Sequence, residues 1–194
     1  AGHSIQYIVS RDMANAETLA FEMQARAMAA ISELDMNSDM YMIAVSDAAI
    51  EKINKDLWVQ DKLVVHTSGS VSLNSIQNTS LNTGVLYPLQ SLRKEIKHEP
   101  HIPFLIDGNN EYAKKELWGF VSSFSRNIVY ANDDERMKLH TAAVLVSNFT
   151  NYLYTITEDF CQRENISFKQ LVPLISEVAE RLHEYSPEDM QTGP

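Results

Sequence analysis

MYMIAV, residues 40–45, decides the fold, because six apolar residues follow one another without a polar break. Successive side chains of a strand point to opposite faces, so this run predicts a strand that is buried on both faces. Such strands are typical of a parallel sheet that has helices on both sides. The run ends in Ser46-Asp47, and Asp47 is predicted to cap a helix that extends to Lys55.

The segments on either side repeat this alternation of strand and helix. Runs of β-branched and aromatic residues predict further strands at 4–10, 62–65, 84–87, 103–106 and 127–130. The spacing of apolar residues predicts helices over 15–26 and 111–124, whereas 28–34 fits either a short strand or one helical turn. This order predicts an α/β fold with a doubly wound parallel sheet.

The character of the chain changes after Asn132, where only helical patterns remain, over 133–163 and 167–185. We therefore predict two domains, an α/β domain at 1–131 and a smaller all-helical domain at 132–194. The long helical stretch, residues 134–161, reads DERMKLHTAAVLVSNFTNYLYTITEDFC and is apolar on nearly every side, which predicts a buried helix.

A polar stripe interrupts this apolar helix. At about 100° per residue, a narrow sector holds His140, Ser147, Asn151 and Glu158, and Asn148 lies on its flank. Burying such a stripe is costly unless the polar groups meet partners. The stripe is therefore expected either to pack on another polar surface or to line a cavity.

Composition excludes several classes of function. The net charge of -10 argues against nucleic acid and against an anionic membrane surface as partners, and no apolar run is long enough to span a membrane. The single cysteine, Cys161, cannot form an intramolecular disulfide and fits a reducing cytoplasm. The six histidines show no ligand spacing, so no metal site is predicted.

Candidate binding residues follow the predicted strands, because ligands of open α/β sheets bind at the carboxyl ends of the strands. Ser10-Arg11 follows the first strand, where an arginine pairs with the 2′-phosphate of NADP, although a solvated turn fits equally well. Ser46 follows residues 40–45. Thr67-Ser68-Gly69 follows residues 62–65 and lets a ligand approach the backbone, although a loop with a serine cap is the alternative.

His66 and the absence of a glycine-rich motif also bear on the prediction of a dinucleotide site. His66 fits either a catalytic acid/base or a structural residue at the end of a buried strand. The Gly-x-Gly-x-x-Gly fingerprint of dinucleotide-binding folds is absent. We expect it to precede residue 1, because Ala1-Gly2 before a strand is typical of the end of a helix.

Motifs along most of the chain resemble one family. They read AGHSIQYIVSRD, DMYMIAVSDAAI, KLVVHTSGSV, GVLYPLQSL, IPFLIDGNN, RMKLHTAAVLVSNFTNYLY and SPEDMQTGP. Together they resemble the Rossmann-like NADP oxidoreductases that are related to pyrroline-5-carboxylate reductase, 6-phosphogluconate dehydrogenase and ketopantoate reductase. The resemblance implies an N-terminal Rossmann-like domain that binds NADP, a helical domain that forms dimers, and an active site in the cleft between the domains.

This resemblance supports one enzymatic hypothesis. A hydride would pass between NADP and a small oxo, imino or hydroxy substrate, with Ser10 and Arg11 on the 2′-phosphate and the small residues at 46 and 67–69 along the nicotinamide half. His140 would supply a proton, and Asn148 and Asn151 would orient the substrate. Interhelical hydrogen bonds are the structural alternative for these three side chains.

One departure from the family supports other hypotheses. The catalytic lysine of the dehydrogenase relatives has no counterpart, because Val144 and Ser147 stand four residues before the two asparagines. A non-catalytic nucleotide-binding or scaffold protein, or a purely structural helical dimer, is therefore the alternative. In each case the apolar helix predicts a homodimer that buries Leu145, Phe149, Tyr152 or their neighbours.

Overall fold

The computed structural model describes residues 2–91 and 102–190. The strands within these ranges are β1 Tyr7–Val9, β2 Arg26–Met28, β3 Met40–Ile43, β4 Leu63–His66, β5 Asn82–Pro88, β6 Phe104–Gly108 and β7 Ile128–Tyr130. The α-helices are α1 Met13–Met23, α2 Asp47–Asp56, α3 Glu111–Ser122, α4 Asp133–Ala143, α5 Thr150–Arg163 and α6 Val172–Arg181. The predicted helix end at Ala1-Gly2 involves Ala1, which lies outside the described residues.

The strands form two sheets whose order follows the chain. Strands β1 and β2 pair in parallel, and β3 to β7 form a sheet of five strands. Neighbours in the larger sheet are parallel except β5 and β6, which are antiparallel. The predicted α/β class, with a Rossmann-like sheet and a helical C-terminal part, is confirmed, and the larger sheet is mostly parallel.

Helices cover both faces of the larger sheet, as the buried run at 40–45 predicts. On one face, Leu63 and Val65 of β4 pack with Leu117 and Val121 of α3. On the other face, Val64 of β4 belongs to a cluster that includes residues of β3 and α2. The alternation of β4 between these two clusters is the pattern expected of a central strand.

Three local predictions were wrong in detail. The helix predicted to run to Arg26 ends at Met23, and Arg26–Met28 forms β2, a strand that the sequence did not predict. Its backbone pairs with β1, and such pairing does not depend on apolar side chains. The N-cap of α2 is Ser46, whereas Asp47 is the first helical residue. The antiparallel direction of β6 was not predicted either, because apolar runs report burial but not strand direction.

The chain divides into two compact units, Ala1–Ala143 and Val144–Pro194. The division falls twelve residues after the predicted boundary at 131/132, because His140 and Arg136 of α4 make hydrogen bonds to Tyr87 and Val71 of the α/β unit. Helical structure continues beyond α4 as a π-helix over Val144–Phe149 and then as α5. The polar stripe requires about 100° per residue, as in a regular α-helix. The π-helix, with its i→i+5 bonding, does not keep this angle between successive residues.

The second unit exposes much apolar surface. In it, α5 contacts a 3-10 helix, Phe168–Leu171, through the rings of Tyr154 and Phe168, whose centroids are 6.5 Å apart, and Cys161 is buried. Within the single chain most of the apolar side chains of the predicted buried helix are exposed, among them Val146 at 74% and Leu153 at 61%. An apolar composition indicates that a segment favours burial, but it does not identify the surface that buries the segment.

Candidate functional site

The carboxyl ends of β3, β4 and β5 lie at one edge of the sheet, because these three strands are parallel. The loop after β4 is ordered by Ser68, whose Oγ accepts hydrogen bonds from the backbone nitrogens of Ser70, at 3.2 Å, and Val71, at 3.1 Å. A serine that bonds the backbone two and three residues ahead fixes a turn. The loop Thr67–Val71 therefore has a defined shape in the folded chain.

A second contact joins this loop to the first residue of α2. The Ser70 hydroxyl donates to Asp47 Oδ2 at 2.5 Å. Hydrogen bonds from Ser70 and Ser68 lower the pKa of Asp47 below its usual value. Ser46, which precedes Asp47, and the predicted residues Thr67, Ser68 and Gly69 are thus brought to the same edge of the sheet.

His66 has a structural role in this arrangement. The side chain is fully buried, and its Nδ1 accepts a hydrogen bond from the Ser68 backbone nitrogen at 3.2 Å. Burial first, and the positive charge of Arg136 second, lower the pKa of His66 to about 4. The ring is therefore neutral at pH 7 and inaccessible to a ligand, which excludes the acid/base alternative considered for it.

Gly69, in the loop after β4, packs against the ring of Tyr87 from β5 and the ring of His140 from α4. A Cβ at this position would lie 2.7 Å from His140 Nδ1 and 2.7 Å from Tyr87 Cζ, so only glycine fits without a shift of these rings. The Tyr87 hydroxyl and His140 Nδ1 are 2.8 Å apart and share a hydrogen bond. Both rings are partly buried, and burial raises the pKa of Tyr87, which keeps its phenol neutral at pH 7.

The first turns of α4 are fastened to the same loop. Arg136 is 1% exposed, and its Nη2 donates to the Val71 carbonyl oxygen at 2.6 Å and to Asp133 Oδ1 at 2.7 Å. The Asp133 carboxylate also accepts from the Ser72 hydroxyl and from the Leu73 backbone nitrogen. Burial opposes the ionised form of Asp133, but these hydrogen bonds outweigh it and lower the pKa of its carboxyl.

Ser10 and Arg11 lie at the carboxyl end of β1. Asp12 caps α1, because its carboxylate accepts from the backbone nitrogens of Ala14 and Asn15. Arg11 is exposed and makes no hydrogen bond or ion pair with any other described residue. The acidic side chain beside Arg11 is thus engaged within its own helix, and the guanidinium is available to an anion.

The remaining predicted residues, Asn148 and Asn151, belong to the second unit, whereas His140 belongs to the first. Asn148 lies in the π-helix and Asn151 in α5. Both are exposed, and their side-chain amides make no hydrogen bond with another described residue. The grouping of these two residues with His140 stays a prediction.

Three residues of the site were not predicted from the sequence: Tyr87, Asp133 and Arg136. The signal for Tyr87 was its place at the end of a predicted buried strand, next to Pro88. Asp133 and Arg136 carried no comparable signal, because charged residues at the start of a helix usually face solvent. The Val71 carbonyl of the loop after β4 and Asp133 of α4 together supply the partners that let Arg136 be buried.

Other features of the described residues do not coincide with this site. A cleft of about 630 Å³ lies at the carboxyl ends of β6 and β7, where Asp107, Trp118 and Tyr130 are among its lining residues. Its lining includes none of the predicted site residues. Because β6 is antiparallel to β5, the carboxyl end of β6 lies at the opposite end of the strands from the carboxyl ends of β4 and β5.

Neither a metal site nor a membrane span is found over 2–91 and 102–190. No three histidine, cysteine, aspartate or glutamate side chains in these ranges are grouped so that they could bind a metal ion. No helix there has the length and apolar character that crossing a bilayer requires.

Comparisons with known proteins support the fold and the class of protein. The profile of a family described as a domain of unknown function, DUF2520, matches residues 102–194. The whole chain is similar to 76% of a putative NADP oxidoreductase from Bacteroides fragilis, with 29% sequence identity and a TM-score of 0.90. No curated protein matches the chain.

Two more distant structures share the fold. A 1-pyrroline-5-carboxylate reductase from Streptococcus pyogenes aligns with 100% of this chain and 79% of its own, at 14% identity and a TM-score of 0.68. A reductive aminase from Aspergillus terreus, in complex with NADPH and ethyl levulinate, aligns with 95% of this chain and 66% of its own, at 17% identity and a TM-score of 0.70. The resemblance predicted from the sequence motifs is confirmed.

Proposed function

Because this chain has the Rossmann-like fold of the NADP oxidoreductases and reductases to which it is similar, we propose that it is an NADP-dependent oxidoreductase of the cytoplasm. Its substrate is a small oxo, imino or hydroxy compound. The observation that carries the proposal is the hydrogen-bonded pair of Tyr87 and His140, which packs on Gly69 at the carboxyl edge of β4 and β5. Ligands of α/β sheets bind at this edge.

The residues at two strand ends fit the two ends of NADP. Arg11 and Ser10 would bind the 2′-phosphate, and the engagement of Asp12 in its helix cap favours a phosphate over a ribose hydroxyl at this place. Ser46, Thr67, Ser68 and Gly69 would lie along the nicotinamide half, where their small side chains let the ring approach the backbone. Bound NADP supplies or accepts the hydride.

His140 is the proposed proton donor. When Nδ1–H donates to the Tyr87 hydroxyl oxygen, Nε2, which makes no hydrogen bond with any other described residue, carries the proton for the substrate. As the carbonyl or imine carbon of the substrate gains the hydride, its oxygen or nitrogen takes the proton from Nε2, and the ring becomes neutral. Asn148 and Asn151, whose amides are exposed, remain the proposed substrate-orienting residues.

The test is NADPH oxidation by the full-length protein against a panel of oxo acids and imines, together with NADPH binding followed by fluorescence. We expect NADPH to bind and at least one class of substrate to be reduced. Failure to bind NADPH would overturn the proposal. Binding without turnover would favour the second candidate, a non-catalytic nucleotide-binding or scaffold protein, which the absence of a lysine at Val144 and Ser147 supports.

Arg11→Ala is expected to weaken NADPH binding about 10- to 100-fold, because a charge-assisted hydrogen bond contributes about 1.5–3 kcal/mol. Binding of NADH, which lacks the 2′-phosphate, should change little. Titration of both dinucleotides by fluorescence measures the two effects. Arg26→Ala removes another exposed arginine of the same unit and is the control, which should bind NADPH as the wild type does. Equal weakening for NADPH and NADH would contradict the role of Arg11.

We also propose that the protein is a homodimer formed through its second unit. In the single chain, Leu145, Phe149 and Tyr152 are 53%, 57% and 64% exposed. Contiguous apolar surface of this kind is typical of an interface between subunits.

Phe149→Asp is expected to weaken dimerisation on the order of 100-fold, because a carboxylate in an apolar interface loses its hydration. Light scattering across micromolar concentrations measures the change. Phe21→Asp, which alters a residue of α1 that is 89% exposed, is the control and should leave the dimer intact. A wild-type protein that is monomeric at these concentrations would refute the homodimer.

A further inference from the structure

We propose that Arg136 is a positioning residue, which holds the His140 ring against Gly69 by fastening α4 to the loop after β4. For its catalytic consequence this inference rests on the function proposed above. Its structural consequence, the placement of the His140 ring, does not depend on that function and can be measured separately.

The burial of Arg136 is the first observation. A charged side chain that is 1% exposed has lost its hydration, and this loss is costly unless good partners replace the water. Nη2 has two partners, the Val71 carbonyl oxygen and Asp133 Oδ1, at 2.6 Å and 2.7 Å. Nε and Nη1 make no hydrogen bond with any described residue. Arg136 is therefore an expensive residue to bury at this place.

The partners of Arg136 all belong to one junction. The Val71 carbonyl lies in the loop after β4, and Asp133 lies three residues earlier on α4. The Asp133 carboxylate in turn accepts from Ser72 and Leu73, directly after that loop. The start of α4 thus both donates a hydrogen bond to residues 71–73 and accepts hydrogen bonds from them, which holds it against this segment.

The position of His140 depends on this junction. His140 follows Arg136 by four residues, so the two side chains lie on the same face of α4, about one turn apart. The His140 ring packs so tightly on Gly69 that a single added carbon would come within 2.7 Å of Nδ1. Gly69 and Val71 belong to the same loop, so a shift of α4 at Arg136 would move the ring relative to Gly69.

Stability alone does not account for an arginine here. Apolar residues of similar volume often replace a buried ion pair without loss of stability, because they avoid the desolvation of two charges. Asp133 would not be stranded by such a replacement, since its side chain is 42% exposed and keeps the bonds from Ser72 and Leu73. What an apolar side chain cannot reproduce is the directional bond to the Val71 carbonyl.

The test compares Arg136→Met with the wild type in two measurements. The ring resonances of His140 in the NMR spectrum of the free protein, assigned by their loss in His140→Ala, should shift or broaden in Arg136→Met. For a substrate that the wild type reduces, kcat should fall about 10- to 100-fold while the KM for NADPH stays the same, because misplacement of a catalytic group affects chemistry more than binding. Arg136→Lys, which keeps the charge, should restore part of kcat.

Two controls separate positioning from general loss of structure. Lys138→Met removes an exposed cation of the same helix, which pairs with Asp134, and should leave both measurements unchanged. In the double variant Arg136→Met/His140→Ala, kcat should be no lower than in His140→Ala alone, because Arg136 acts through His140. If Arg136→Met does not fold, Arg136→Lys and Asp133→Asn undergo the same measurements.

Each outcome decides the inference. Unchanged His140 resonances in Arg136→Met would overturn it, whether or not the protein is an enzyme. Shifted resonances with an unchanged kcat, or a double variant that loses activity additively, would overturn the positioning role. If the wild type reduces no substrate, the proposed function fails, but the NMR comparison still shows whether Arg136 places His140.

Discussion

Gly69→Ala is expected to lower NADPH oxidation on the order of 100-fold, because the new Cβ would displace the two rings at the centre of the site. That carbon would lie 2.7 Å from both His140 Nδ1 and Tyr87 Cζ, closer than a Cβ comes to other heavy atoms in folded proteins. Overpacking of this kind also costs about 1–3 kcal/mol of unfolding free energy. Steady-state kinetics and urea denaturation measure the two losses.

Gly119→Ala provides the matched control for this substitution. Gly119 lies in α3, and a Cβ there would meet no atom within 4 Å. Because alanine favours a helix over glycine, we expect this variant to be more stable by about 0.5–1 kcal/mol and fully active. Activity and stability of Gly69→Ala that match those of the wild type would show that the packing of Gly69 against the two rings does not matter.

His140→Ala is expected to lower kcat about 10²- to 10⁴-fold, the range in which a general acid contributes to catalysis. NADPH binding should be retained, because His140 donates its proton to the substrate in the proposed reaction. Tyr87→Phe should have a smaller effect, about tenfold, since the phenylalanine ring still packs on Gly69 but cannot hydrogen-bond Nδ1. Stopped-flow or steady-state oxidation of NADPH separates the two variants.

Tyr130→Phe is the control for the tyrosine substitution. Tyr130 stacks on Trp118, with ring centroids 5.3 Å apart, and shares no hydrogen bond or ring contact with His140 among the described residues. It should be as active as the wild type. A His140→Ala protein that keeps most of its kcat would exclude His140 as the proton donor and would shift attention to the exposed amides of Asn148 and Asn151.

Much of the α/β unit could be predicted from patterns of apolar residues. The runs at 40–45 and 62–65 are strands because their side chains leave water on both faces, and the structure places Val64 and Val65 in different apolar clusters. The small residues after these strands could be recognised as candidate ligand contacts, because strand ends meet at one edge whatever the details of packing. The strand β2 was not predicted because Met28 is the one buried residue of its three.

The candidate site could be predicted only in part. The sequence pointed to His140 as a polar residue on an apolar helix, but its contacts with Tyr87 and Gly69 join residues that are 53 or more positions apart. The burial of Arg136 could not be predicted from the sequence. A charge at the start of a helix normally faces water, and nothing local indicates that a carbonyl of a distant loop replaces that water.

The sequence by itself therefore determined the class of fold, most of its strands and helices and the residues at the strand ends, because these depend on periodicity and on local turn chemistry. The tertiary structure alone decided the direction of β6, the burial of Arg136 and the pairing of Tyr87 with His140 over Gly69. The physical reason is that a hydrogen bond or a close contact is specified by two positions, and no pattern along one stretch of chain contains the second.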